Sequence, residues 1–429
     1  MKVLILGAGG REHAMAWKLS KNAKIDEVVV MPGNSGMTMT PKVTRLEGSW
    51  KKKDEFLSLV KKENPSYVII GPEAPLAEGV SDWLREAKIP VVGPSAKAAE
   101  LESSKVFAKK FMSRNNIPTA EFKIVDSVKD GLNYLDSLNF ENGIVVKADA
   151  LAGGKGVVVT RDLLEAKKTV VDFLESSECQ VNTTDLLFEK RLDGKELSAF
   201  ALCDGDHYAT LGYACDYKRV YENDLGPNTG GMGGYLPTDW PSPTIKKEID
   251  NIISKTLKGM KNEGREFSGF LFVGLMIDGD DVNVIEYNVR MGDPETQILL
   301  PLLDERFDGA LFDVANSRLT ENSDLTPIDK SCVHIVLTSG GYPSTDGTPL
   351  ELNNTIDYPS KYHDQDEDLF LFFAGVNSSS DSSLVNTGGR VLGLSAIAKT
   401  TEEARALAYK NIEAFNFKGM HYRKDIASI

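Results

Sequence analysis

The chain has 429 residues, 41% of them hydrophobic and 26% charged, with a net charge of −14. That is room for roughly two to four globular domains, and the acidic balance argues against nucleic acid or an anionic membrane as the main partner. No stretch reaches the roughly 18 apolar residues of a membrane span, and the short, glycine-broken apolar run after Met1 is no leader, so the chain reads as cytoplasmic.

The first hundred residues alternate strand and helix. Val3–Leu6, Val28–Val30, Tyr67–Ile70 and Val91–Val92 are apolar runs that lead into Gly or Pro, and helical stretches at Arg11–Lys21, Lys52–Lys62 and Glu78–Ala87 separate them. The alternation predicts an α/β domain with a doubly wound parallel sheet and ligands at the carboxyl ends of its strands. The loop after the first strand, Gly7-Ala8-Gly9-Gly10-Arg11-Glu12, is not a dinucleotide fingerprint, because Glu12 takes the place of the third glycine. The second strand leads into Met31-Pro32-Gly33-Asn34, without an acidic residue for a ribose diol, which further disfavours a nicotinamide enzyme. The loop either binds an anion at a helix N-terminus beside Arg11 or is a plain tight turn.

A helix over Ser103–Arg114 stops at Asn115-Asn116-Ile117-Pro118. Residues 121–190 then predict a small α/β unit: strand Phe122–Val125, helix Val128–Leu138, a hairpin of Ile144–Lys147 and Val157–Thr160, helix Asp162–Leu174 and strand Leu186–Glu189. The hairpin loop, Ala148 to Gly156, lacks the glycine and hydroxyl positions of a Walker A loop. It can still close over a polyphosphate through backbone amides, Lys147 and Lys155, or be a glycine hairpin with exposed lysines. The segment Phe188–Glu196 could offer backbone groups to an adenine and Glu196 to a ribose, although a charged loop is the simpler reading.

Strands at Ser198–Cys203 and Ala209–Tyr213 lead to Asp216-Tyr217-Lys218-Arg219 and then to the glycine run Gly226–Gly234. Five glycines in nine residues are costly to order, so a flap that excludes water from a site is a sensible use, with a linker as the alternative. The helix Thr244–Glu263 repeats Ile245, Ile249, Ile252, Ile253, Leu257 and Met260 along one buried stripe. Strands at Gly269–Asp278 and Asp281–Arg290 follow. In the second, odd-numbered Ile285, Tyr287, Val289 and Met291 are apolar, so Glu286, Asn288 and Arg290 share the other face. A carboxylate beside an amide oxygen suits Mg²⁺, and a guanidinium suits a carboxylate or phosphate; a half-buried strand with a polar face is the alternative.

The last hundred residues predict strands at Cys332–Thr338, Leu369–Phe373 and Arg390–Ile397, a hairpin tip at Asn377–Ser383, and a helix capped by Thr400 and Glu403. Cys179, Cys203, Cys215 and Cys332 are far apart and read as reduced thiols; Cys215 is a possible nucleophile, a buried thiol being commoner. The five histidines form no metal-binding or triad spacing.

Together these segments resemble the ATP-grasp ligases over essentially the whole chain, most closely the branch that joins glycine to 5-phosphoribosylamine. The resemblance rests on Gly9–Ala14, Pro32–Asn34, Gly71–Pro75, Lys147–Asp149 with Gly154–Val157, Gly226–Gly233, Arg290 with Gly292–Thr296, and Tyr422–Ile426. It implies an ATP-grasp architecture, α/β with mixed α+β parts: a Rossmann-like substrate domain at 1–101, a large subdomain with the Mg²⁺ site at 102–120 and 191–326, an ATP lid at 121–190, and a C-terminal α+β domain at 327–429. It also implies ATP, Mg²⁺ or Mn²⁺, glycine and 5-phosphoribosylamine as ligands, and a monomer or weak homodimer. By the resemblance, Glu286 and Asn288 hold the metal. Lys105, Lys147, Gly153, Gly154 and Lys155 meet the nucleotide phosphates, with Glu189, Leu192 and Glu196 at the adenosine. Gly10, Arg11, Glu12, Asn34 and Glu73 fall on the phosphoribosylamine side. Asp216, Lys218, Arg219, Arg290 and Asp293 serve glycine and the transferred phosphate. Ala150, Gly153, Tyr217 and Met291 depart from the usual pattern without removing a charge. Fused relatives continue further, so a monofunctional enzyme of bacterial style is expected. The rivals are a carboxylase or formate-dependent ATP-grasp enzyme and a non-catalytic nucleotide sensor.

Overall fold

The structure is a computed structural model that describes residues 1–151, 156–176, 181, 183–237, 240–320, 323, 325–345, 347–359 and 368–428. Strands β1 (Lys2–Gly7), β2 (Glu27–Pro32), β3 (Val43–Arg45), β4 (Tyr67–Ile70) and β5 (Val91–Val92) form a parallel sheet in the order β3-β2-β1-β4-β5. Val3 and Ile5 pack on one face with Ala14 and Trp17, while Leu4 and Leu6 pack on the other with Phe56 and Val60. Burial on both faces is why the first strand reads as an unbroken apolar run. The strand order reverses at β1, running to β2 and β3 on one side and to β4 and β5 on the other, so the loops after β1 and β4 meet at the crevice where such sheets bind ligands.

The next four strands, β6 (Phe122–Val125), β7 (Ile144–Ala148), β8 (Val157–Thr160) and β9 (Leu186–Lys190), form an antiparallel sheet in the order β6-β9-β7-β8. Helices Val128–Asp136 and Leu163–Glu175 cover it, with Leu135, Val170 and Phe188 in a small core of its own.

The rest of the chain builds one long sheet. Its strands are β10 (Lys195–Asp204), β11 (Tyr208–Asp216), β14 (Gly233–Tyr235), β15 (Ser268–Asp278), β16 (Asp281–Asn288), β17 (Ser331–Thr338), β18 (Leu369–Phe373) and β21 (Arg390–Ala398). Two hairpins stand beside it, β12 (Arg219–Tyr221) with β13 (Leu225–Asn228), and β19 (Val376–Ser378) with β20 (Leu384–Asn386). The order β16-β15-β10-β11-β14-β17-β21-β18 is antiparallel throughout and draws strands from both sides of the expected boundary at 326/327. Helix Pro243–Asn262 packs its isoleucine stripe beneath β15 and β16, with Leu257 at the margin.

Three expectations need correction. The helix expected over Glu78–Ala87 begins only at Val80, because Gly79, at φ +84°, is left-handed and caps it; a separate short helix, Glu73–Ala77, precedes it. The helix expected from Ser103 begins at Lys105, because Ser104 is extended and its hydroxyl accepts from the Phe107 amide; a separate helix, Ala96–Ser103, precedes it. The strand expected over Asp281–Arg290 ends at Asn288 and carries a bulge opposite Gly274/Leu275. Val282 and Val284 are buried before the bulge and Tyr287 and Val289 after it, so Ile285 is only half-buried and faces out with Glu286. An extra residue in one strand exchanges the parity of the buried positions.

Candidate active site

The two loops at the switch point of the parallel sheet are shaped around one carboxylate. Glu12 is 1% exposed, and its Oε2 accepts from the Gly9 amide at 2.7 Å. A Cβ on Gly71 would lie 2.1 Å from Glu12 Oε1, so both glycines make room for this side chain. Its other oxygen pairs with Arg11 Nε at 2.5 Å, and Arg11 Nη1 donates to the Met291 carbonyl at 3.2 Å. Burial disfavours the Arg11 charge, but Glu12, Asp293 and Glu73 outweigh it and hold the guanidinium firmly protonated. Arg11 and Glu73 line the cleft. Gly10 and Asn34 do not: Gly10 opens the helix Gly10–Ser20, and Asn34 is spent on the Ala8 and Phe373 carbonyls and the Gly36 and Met37 amides. His13, from the same motif, is fully buried, and desolvation pushes its pKa down to about 3.

The cleft, of about 1940 Å³, runs between these loops, the small four-stranded sheet and β16. Glu286 and Asn288 face it from β16, and Arg290 follows from the segment just beyond. Arg290 is gripped by Glu102 at 2.9 Å, reaches Glu73 at 3.6 Å and donates to Asn288 Oδ1 at 2.8 Å. One carboxylate and one amide oxygen form a hard oxygen pair that fits Mg²⁺ shared with phosphate oxygens and water. Among the described residues no group of three or more His, Cys, Asp or Glu side chains converges, so phosphate oxygens would have to complete such a site.

Also on the cleft wall, Lys147 Nζ lies 2.7 Å and Lys109 Nζ 2.9 Å from the Glu189 carboxylate, all three side chains at most 5% exposed. Burial works against the Glu189 charge, but the two ammonium groups hold its pKa below the usual range. Burial lowers Lys109 to about 8. Lys105 also has a lowered pKa, desolvated but partly supported by Glu286, and it donates to the Ala150 carbonyl at 2.8 Å. Leu192 and Glu196 line the same region, and Glu196 is held ionised by Lys218. Gly153, Gly154 and Lys155 lie outside the described residues. Lys218 sits 2.8 Å from both Asp216 and Glu196, and these carboxylates outweigh its burial. Arg219 donates to the Gly226 carbonyl at 2.6 Å and pins the β12–β13 hairpin. Asp293 pairs with Arg390 at 3.1 Å and accepts from Gln297 at 2.7 Å.

Four groups escaped the sequence reading. Lys109 sits four residues after Lys105 on one helix face, a spacing that could have revealed it. Glu102 belongs to the unforeseen helix. Glu295 lies in the quoted Gly-Asp-Pro-Glu-Thr run, and burial, then the nearby Asp216 carboxylate, raises its pKa to about 7. Arg390 comes from β21, far along the chain, and carries no local signal. Of the departures, Tyr217 donates no charge but accepts the Ala427 amide at 3.1 Å, while Met291 is fully buried. Cys215 is a half-buried thiol pushed up to about 12 by burial, which is no activated nucleophile.

A parallel-sheet domain, a small four-stranded antiparallel unit and a long antiparallel sheet enclosing a cleft of lysines and a Glu–Asn oxygen pair define an ATP-grasp ligase. Profiles of the phosphoribosylglycinamide synthetase family match its N domain over residues 1–102, its ATP-grasp (A) domain over 103–296 and its C domain over 332–429. The chain belongs to the phosphoribosylglycinamide synthetase family. It is 39% identical to a phosphoribosylamine–glycine ligase of Chlorobaculum tepidum over 100% of this chain and 99% of that one. It is also 38% identical to the Gallus gallus trifunctional purine biosynthetic protein adenosine-3, covering 99% of this chain but 42% of that protein. The crystal structure of a Thermotoga maritima phosphoribosylamine–glycine ligase superposes with a TM-score of 0.84 at 35% identity, over 99% of this chain and 100% of that one. The biotin carboxylase domain of a Hydrogenobacter thermophilus 2-oxoglutarate carboxylase shares the fold alone, with a TM-score of 0.70 at 17% identity over 98% and 91% of the two chains.

Proposed function

We propose that the chain joins glycine to 5-phosphoribosylamine at the expense of ATP, giving glycinamide ribonucleotide, ADP and phosphate in purine biosynthesis. The supporting observation is the outward face of β16, which presents Glu286 and Asn288 to a cleft that Arg11 and Glu73 also line. A glycine carboxylate oxygen attacks the γ-phosphorus of ATP, the bond to the β–γ bridging oxygen breaks, and ADP leaves. The phosphoribosylamine nitrogen attacks the carbonyl carbon of the resulting glycyl phosphate. Phosphate departs with the electron pair of the C–O bond, and the nitrogen gives up a proton. Neither step needs a protein nucleophile; positioning and charge neutralisation suffice.

Lys105, Lys147 and Lys155 serve the nucleotide phosphates, together with Gly153 and Gly154. Glu189, Leu192 and Glu196 border the adenosine. Asp216, Lys218, Arg219, Arg290 and Asp293 handle glycine and the transferred phosphoryl group. Arg11 and Glu73 meet phosphoribosylamine, while Gly10, Glu12 and Asn34 shape the loops that carry them. Glu286 and Asn288 would hold Mg²⁺, or Mn²⁺ in its place, which when bound neutralises phosphate charge. We place the activity in the cytoplasm, in a monomer or weak homodimer; Cys203, Cys215 and Cys332 are free thiols.

The test is ADP release with ATP and Mg²⁺ while glycine and freshly generated phosphoribosylamine are added singly and together. Product formation that requires both, with the mass of glycinamide ribonucleotide, is expected. Release driven by formate or bicarbonate without glycine would overturn the assignment. Glu286→Gln should cut turnover by orders of magnitude yet still bind ATP; a variant as active as the parent would remove the metal pair from the mechanism.

A further inference from the structure

The glycine run is held from outside its own domain. The Gly230 amide donates to the Tyr342 phenol oxygen at 3.0 Å, and its carbonyl accepts from Arg390 Nη1 at 2.6 Å. Both backbone groups of one cleft-lining residue are therefore taken by side chains that follow β17 and open β21. The same guanidinium donates to the Asp293 carbonyl at 2.7 Å and pairs with the Asp293 carboxylate at 3.1 Å. Flap and Asp293 loop also touch directly: a Cβ on Gly231 would lie 2.5 Å from Pro294 Cδ. Tyr342 in turn packs over Gly389, where a Cβ would fall 2.4 Å from the ring.

The foot of the flap is fixed separately. Arg423 is 1% exposed; its Nη1 donates to the Arg219 carbonyl at 3.0 Å and to Asp224 at 2.9 Å, and the Asn223 amide donates to Asp425. With its foot anchored, the segment around Gly230 can leave or meet the Asp293 loop only by making or breaking the Arg390 and Tyr342 contacts. A planar guanidinium can bridge two carbonyls and a carboxylate at once, which an ammonium of the same charge cannot do in that geometry.

We propose that Arg390 and Tyr342 are positioning residues that lock the glycine flap to the Asp293 loop and so keep water from glycyl phosphate until the amine attacks. The inference rests on the reaction assigned above. When the lock fails, water attacks the same acyl carbon, phosphate leaves, and free glycine is regenerated with one ATP lost and no product made.

The experiment counts ADP released per glycinamide ribonucleotide formed, with both substrates present, in the parent and in Tyr342→Phe and Arg390→Lys. The parent should give one ADP per product; a parent that makes no product with both substrates would reject the assigned reaction itself, whatever the variants do. Tyr342→Phe and Arg390→Lys should each raise the ratio several-fold and should release ADP with glycine alone, while the KM for ATP stays put. A merely structural role would lower both rates together and leave the ratio at one. A ratio of one in Tyr342→Phe, which loses a single oxygen atom, would overturn the proposal even if Arg390→Lys failed to fold.

Discussion

The Lys109–Glu189–Lys147 cluster and Glu295 set the electrostatics of the cleft. Lys109 and Lys147 share Glu189 in a nearly dry site, where truncating one partner of an ion pair leaves the others poorly compensated. Since Lys147 remains, Lys109→Met should destabilise by about 3 kcal/mol, the lower end for a broken buried pair. The urea midpoint measures it, and an unchanged midpoint would show that Lys147 alone satisfies Glu189. Glu295 behaves in the opposite sense to a paired carboxylate, because burial and Asp216 raise its pKa from 4.5 to about 7. The folded state therefore holds this proton more tightly than the unfolded state. Its contribution is fully present below pH 4.5 and is lost as pH rises through 7. Glu295→Gln should flatten that part of the stability profile, so that the parent's melting temperature falls relative to the variant's between pH 5 and 8; parallel profiles would refute the shift. At this scale the sequence was readable where charge and spacing coincide. Glu286 and Asn288 stand two apart on a strand, and Lys147 is the last residue but one of another. It was unreadable where a partner comes from far away, as Arg390 does for Asp293, since nothing local marks such a pair.

Among the elements, β14 is short but central, since it joins β11 to β17 in the middle of the long sheet. Gly233 sits there at φ +141°, and a Cβ would lie 2.4 Å from the His334 carbonyl. Gly233→Ala should cost on the order of 1–3 kcal/mol from backbone strain alone, with further loss if β17 is displaced. Chemical denaturation would detect this, and a fully stable variant would mean that the β14–β17 pairing can shift freely. Strands and helices with clean periodicity were legible, as Phe122–Val125 and the isoleucine stripe of Pro243–Asn262 illustrate. The bulge in β16 was not. Alternation was read from Ile285 onward, where the sequence is regular, while Val282 and Val284 belong to the opposite parity, and only pairing with β15 reveals the extra residue. Gly79 was hidden for a similar reason: a glycine inside a helical pattern does not announce whether it will turn left-handed.

For the molecule as a whole, the four-stranded unit meets the remainder through a few polar contacts beside the cleft. Ser104 and the Val106 amide donate to Asp149, Lys105 to the Ala150 carbonyl and Lys147 to the Ile285 carbonyl, and Lys109 pairs with Glu189 of β9. A unit with its own core and few ties to the rest can move as a lid. ATP with Mg²⁺ should therefore slow amide exchange in Ile144–Ala148 and Val157–Thr160; exchange that does not change on adding nucleotide would argue for a fixed unit. The parallel N-terminal sheet could be foretold from alternation alone. The fusion of the central and C-terminal strands into one eight-stranded sheet could not, because the pairing of β14 with β17 spans about a hundred residues of sequence and leaves no periodic trace.

The anchoring of the β12–β13 hairpin by Arg423 also has a consequence for the order in which the protein is made. Asp224 emerges from the ribosome 199 residues before the arginine that grips it. During that interval the parallel domain, the four-stranded unit and β10 to β16 can assemble, yet the hairpin beside the cleft lacks its Arg423 anchor. Contacts this distant in sequence form late, since loop closure must precede them. A nascent chain whose other cleft-forming strands have assembled is thus kept from completing the cleft until the segment carrying Arg423 has been released and docked.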